Sequence, residues 1–183
     1  MKKTQDILFH PRYGGGFLST TFKRLDFQGQ DVESFLQSQS TFDVYSLGPK
    51  SFQLISFLDR QGRVLFYSWL VKDTHFSLLV PSKLIESAQE RLQRFLISED
   101  VEISEAVDQD AIFFWRGLDF SPENHPMFLE GVLFNQKAAL VLDKNLMNVV
   151  FDGDEIESSI VENWRLLTGW PSFDGVDHSV DIL

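Results

Sequence analysis

Gly29-Gln30-Asp31-Val32-Glu33-Ser34-Phe35-Leu36-Gln37-Ser38-Gln39-Ser40-Thr41-Phe42-Asp43 is the stretch on which the reading of this 183-residue chain turns. A Thr- and Phe-rich run over 18–27 precedes it with strand character, Gly29 breaks that run, and Asp31 is of the type that caps a helix. The cap predicts a helix over 31–39 with Val32, Phe35 and Leu36 on its inner face. Gln37, Gln39, Thr41 and Asp43 are polar residues that the helix alone does not require. Gln37 and Gln39 are two positions apart, about 160° around a helix, so only one faces a pocket easily. Gln37 lies beside the apolar stripe, either as a pocket residue or as an amide bonded to backbone. Thr41 and Asp43 fall just past the helix end, where side-chain turns are common.

Downstream, residues 51–58 and 63–72 read as two β runs joined by Asp59-Arg60-Gln61-Gly62, the clearest hairpin in the chain. After a turn at Asp73-Thr74, residues 75–80 extend an antiparallel meander. Pro81-Ser82 opens the strongest helical pattern, 82–97, in which Leu84, Ile85, Ala88, Leu92, Phe95 and Leu96 recur at helical spacing. Strand-like runs follow at 100–105, 110–116, 128–134 and 136–142, then a helix from Asp154 to Leu167 ended by Gly169 and Pro171. The order predicts the α+β class, antiparallel strands with helices packed on one face. Residues 1–17, with Gly14-Gly15-Gly16 as a hinge, read as a loose leading segment. The rest, 18–183, reads as one domain with 18–106 and 107–183 as two subdomains.

Composition narrows the partners. Sixteen Lys and Arg against 27 Asp and Glu give a net charge of −11, which opposes attraction to nucleic-acid phosphates or anionic membranes. No window reaches the ~18 apolar residues of a membrane span and the amino terminus lacks a signal-peptide run, so a cytoplasmic protein is expected. With no cysteine there is no disulfide, thiolate metal site or cysteine nucleophile in the chain. His10, His75, His125 and His178 are scattered without metal-type spacing. The 18 Phe and 4 Trp supply core area rather than a cofactor box.

Gly29, Asp31, Phe35, Leu36, Gln37, Gln39, Thr41 and Asp43, the segment Phe57-Leu58-Asp59-Arg60-Gln61-Gly62-Arg63-Val64-Leu65, and Arg165-Leu166-Leu167-Thr168-Gly169-Trp170-Pro171 match, in order and spacing, the amino-terminal part of a known family. The chain resembles the YgfZ-type folate-binding proteins, relatives of the glycine-cleavage T-protein, an aminomethyltransferase. The resemblance implies a folate-binding domain, tetrahydrofolate or a derivative as ligand, and either one-carbon chemistry or a role in iron–sulfur protein maintenance. It implies a pocket in which Tyr67 and Trp170 stack on the ligand, Leu79 packs, Thr168 lines, and Arg165 holds the glutamate tail. From the residues alone, Arg165 either grips such a carboxylate or pairs with Glu162 or with carboxylates of the Asp154 region. Gln37, Thr41, Asp43, Asp59, Gly62 and Arg63 are the family-motif positions.

Four departures weigh against chemistry. Phe66 and Tyr67 stand where the T-protein branch carries an aspartate pair, and neither replaces a carboxylate as acid or base. Leu167 stands where a glutamate grips the pterin's donor edge, leaving those donors unpaired at about 1–3 kcal/mol each. The family's K-G-C-x-x-G-Q-E motif and its carboxy-terminal barrel are both absent, as in a fragment or a shortened member, and a homodimer is one way to supply the missing wall. The favoured reading is a non-catalytic folate-type binding protein. The alternatives are a ligand-free interaction or scaffold module and, last, an aminomethyltransferase.

Overall fold

The computed structural model describes residues 16–115, 128–133, 136–142 and 166. Strands β1 (Gly16–Gln28), β2 (Ser51–Leu58), β3 (Val64–Lys72), β4 (Phe76–Val80), β5 (Glu102–Ile103), β6 (Val107–Trp115), β7 (Leu129–Leu133) and β8 (Gln136–Val141) dominate it. Among the residues described between Gly16 and Trp115, two short helices interrupt them, α1 (Val32–Gln39) and α2 (Ile85–Arg94). The strands bond in the order β4-β3-β2-β7-β8-β6-β1-β5, and β4 also pairs with β1, so seven strands close into a mixed β-barrel with β5 beyond β1. The β1–β4, β2–β3, β3–β4, β6–β8 and β7–β8 ladders are antiparallel.

This corrects the expected α+β architecture of helices on one face of an antiparallel sheet. The local signals for each strand were sound, but ring closure depends on pairings between distant segments that no local pattern encodes. The chain divides into two compact units, Met1–Thr20 with Asp110–Trp170, and Thr21–Gln109 with Pro171–Leu183.

In the unit holding Thr21–Gln109, the hairpin forms as the alternation predicts, with Ile55 opposite Ser68 and Phe57 opposite Phe66 before a register shift at Phe57/Leu58. One face of its strands, bearing Leu25, Phe27, Ile55, Phe57, Phe66, Leu70, Leu78 and Val80, is buried with Val32, Phe35 and Leu36 of α1 and Ala88 and Leu92 of α2. Phe57 and Phe66 stack across the hairpin with centroids 4.5 Å apart. The opposite face buries Phe52, Trp69, Val71 and Leu79, and Phe52 meets Trp69 edge-on at 5.6 Å. In the other unit, β8 is central to an antiparallel trio in which Leu140 lies opposite both Phe113 and Leu129, all three buried.

Both helices are shorter or differently built than expected. Asp31 makes no side-chain cap. Its Oδ2 instead accepts the Asp100 N–H at 2.8 Å, a tertiary bond replacing the local one. The 82–97 helix begins as a 3₁₀ turn over Ser82–Leu84, and its α-helical part ends at Arg94. There the Glu99 carboxylate takes the N–H groups of Ile97 and Ser98 at 2.8 and 2.9 Å, drawing the chain into a turn. The 100–105 run contributes only the two-residue β5, while β6 starts earlier than expected, at Val107. The helix expected at 154–167 lies outside the described residues apart from Leu166, which is helical and exposed.

Candidate functional site

Most motif residues of the opening segment serve the chain's own backbone. Gly29 has φ +124°, and the turn it makes seats three bonds on the Asp100 loop. Asp31 N–H reaches Asp100 O at 3.2 Å, Gln30 N–H reaches Asp100 Oδ2 at 3.2 Å, and Asp31 Oδ2 accepts Asp100 N–H. Gln37 Oε1 accepts the Val44 N–H at 2.6 Å, clasping α1 to the 3₁₀ turn Val44–Ser46. Gln39 Oε1 accepts from Arg91 at 2.8 Å, and that guanidinium lies 3.9 Å over the Phe95 ring. Asp43 is exposed and precedes the 3₁₀ turn without a side-chain cap.

The hairpin motif is likewise a turn device. Asp59 Oδ1 accepts the Gln61 and Arg63 N–H groups at 2.8 and 2.9 Å, while Oδ2 accepts Arg63 Nε at 2.7 Å. The Arg63 backbone bond, followed by its side-chain and charge contributions, holds the Asp59 carboxyl below the usual carboxylate range. Gly62 closes the turn at φ +82°.

Tyr67 and Leu79 are brought to a common face, the one opposite the two helices. Leu79 is directly opposite Trp69, two positions from Tyr67 on β3, so the side chains of all three project to that side. Tyr67 is half-buried, whereas Leu79 and Trp69 are buried. Phe66, the neighbour of Tyr67 on β3, points to the helix-side core and is 1% exposed. Ser56 lies opposite Tyr67. Thr41 joins it there, its Oγ1 2.8 Å from Ser56 Oγ. Arg165, Thr168 and Trp170 lie outside the described residues.

A polar cluster that sequence reading did not find occupies the same face. Asp26 Oδ1 accepts Ser77 Oγ at 2.6 Å and lies 3.1 Å from both His75 Nε2 and Arg24 Nε. Arg24 also donates to Gln109 Oε1 at 2.6 Å. Burial pushes the Asp26 carboxyl up, but bonds from Ser77 and His75 and the Arg24 charge outweigh it and hold the group below the usual range. Asp26 and Ser77 are 51 positions apart, and only their β1–β4 pairing joins them. A group with a depressed folded value stabilises the fold above its unfolded value, and that contribution is lost as pH falls through the folded value. Asp26→Asn is therefore expected to lower the urea midpoint near pH ~7, and to lower it less at an acidic pH below the unfolded value, where the contribution begins to be lost. Equal losses at both would show that ionisation of Asp26 contributes nothing.

Among the described residues no group of three or more His, Asp or Glu could hold a metal ion, and no helix is long and apolar enough to cross a membrane.

No family model matches the chain. An uncharacterized protein of Haemophilus influenzae is 25% identical over 146 residues, which is 76% of this chain and 49% of that protein. The glycine cleavage system aminomethyltransferase T of Bartonella henselae matches in structure with a TM-score of 0.56 and 13% identity, over 80% of this chain and 46% of the other. The chain thus spans about half the length of the relatives it matches. Its strand-built architecture is a glycine-cleavage T-protein-like fold.

Proposed function

We propose that the chain is a non-catalytic folate-type binding protein, with tetrahydrofolate or a derivative as ligand. The observation that carries this reading is the placement of Tyr67 beside Trp69 and Leu79 on one face of a T-protein-like fold, while Phe66 turns its ring into the core. An aromatic, half-buried tyrosine offers a stacking surface for a planar ring, and neither Phe66 nor Tyr67 offers the acid or base that one-carbon transfer needs. The YgfZ-type branch, with its role in iron–sulfur protein maintenance, is the physiological setting we infer.

Equilibrium titration of the purified chain with tetrahydrofolate tests the reading. Binding is expected, weakened about tenfold in Tyr67→Ala, which corresponds to ~1.4 kcal/mol. Absence of binding up to millimolar ligand sinks it.

The engagement of Gly29, Asp31, Gln37 and Asp59 in intrachain bonds supports a second reading, a scaffold module that kept the fold and lost the ligand. That reading predicts no folate binding and a concentration-dependent assembly visible by sizing.

A further inference from the structure

The Ser40–Phe57 bridge and the bond from Thr41 N–H to Ser56 O, 3.1 Å, dock the segment after α1 along β2. These backbone contacts suffice to hold the segment, yet two hydroxyls also meet there. Thr41 Oγ1 and Ser56 Oγ are 2.8 Å apart, and Ser56 N–H points to Thr41 Oγ1 at 3.4 Å. Each hydroxyl has one donor hydrogen and two acceptor lone pairs. Whichever donates to the other, the pair keeps one O–H donor and two lone pairs beyond those two contacts. Ser56 is half-buried directly opposite Tyr67, and Thr41 is exposed on the other edge of β2, so the hydroxyl pair runs outward from the tyrosine's cross-strand neighbour.

We propose that Thr41 and Ser56 form the polar edge of the ligand site, taking hydrogen bonds with the rim of a planar heterocycle whose face stacks on Tyr67. The proposal rests on the folate-type reading and deepens it. A stacked ring is held in plane but is free to slide and turn, and mixed donors and acceptors at one edge fix its register. An all-donor or all-acceptor edge would reject a pterin rim, which carries both kinds of group; a hydroxyl pair adapts to either by rotating its O–H bonds. The site so described recognises the ring and not the tail.

The test titrates wild type, Thr41→Val, Ser56→Ala and the conservative Thr41→Ser with tetrahydrofolate and with 6-methyltetrahydropterin, which has the ring and no tail. Urea unfolding of each variant checks that the fold is kept. Thr41→Val and Ser56→Ala are expected to weaken both ligands by the same factor, about tenfold, with Thr41→Ser close to wild type. Unchanged tetrahydrofolate affinity in both variants overturns the proposal and leaves the folate reading standing. A loss confined to tetrahydrofolate, with the tailless pterin unaffected, also overturns it, because the hydroxyls would then serve the tail. Failure of wild type to bind either compound overturns the folate reading itself.

Discussion

Gly29→Ala is expected to destabilise the chain by about 3–5 kcal/mol, among the largest effects of any single-methyl addition. Two costs combine. At φ +124° an L side chain is strained, at about 1–3 kcal/mol. A Cβ built there would lie 1.9 Å from Asp100 O and 2.7 Å from Asp100 C, both backbone atoms that cannot swing aside as a side-chain tip could. The Asp100 loop would have to withdraw, weakening the three bonds that Gln30 and Asp31 share with Asp100. For a chain of this length the loss should lower the thermal midpoint by about 6–20 °C. Gly62→Ala is the matched control, since its φ is +82° but no heavy atom lies within 4 Å of the added carbon. It is expected to cost only about 1 kcal/mol. Similar midpoints for the two variants in a calorimetric comparison would show that the close approach to Asp100 carries no energy.

That contrast explains why the opening segment is a better marker of fold than of activity. Gly29 and Asp31 form one clamp, and Gln37 forms another, so these motif positions record how α1 is held against the strands. Thr41 is different, because its backbone docks the segment while its hydroxyl remains at an accessible position beside Ser56.

Legibility followed the range of the interaction. The hairpin of β2 and β3 and the inner face of α1 were readable because alternation and helical spacing are local. Closure of the barrel was not, since pairing β1 with β4 joins Leu25 to Leu78 across half a hundred residues of chain that carry no mark of the match. The same limit hid the Arg24–Asp26–His75–Ser77 cluster, whose members look unrelated until β1 and β4 lie side by side. Asp31 was misread as a cap for a related reason: a carboxylate before a helix satisfies either the helix or a distant N–H, and here the Asp100 N–H has it. For the site, the alternation of β3 separates Phe66 from Tyr67, but only the ladder to β4 shows that Leu79 joins Tyr67's side.

Introducing a carboxylate at each of the neighbouring positions 66 and 67 should therefore give opposite results. Phe66→Asp is expected to abolish cooperative folding. Phe66 is 1% exposed, stacked on Phe57 at 4.5 Å, and surrounded by the apolar residues between the strands and helices. Removing the ring costs about 3–5 kcal/mol as in other large-to-small core changes, and an unpaired carboxylate in that core adds several more. Together these approach or exceed the about 5–15 kcal/mol that holds a typical domain folded. Tyr67→Asp exchanges a half-buried side chain on the other face, where water reaches the new charge, and is expected to fold with a loss of about 1–2 kcal/mol. Far-ultraviolet circular dichroism with urea titration of the two variants decides the matter. A cooperative transition in Phe66→Asp within ~1 kcal/mol of wild type would mean that position 66 is not in the core. The expected outcome leaves position 67 alone able to carry an acid, with its neighbour given over to packing.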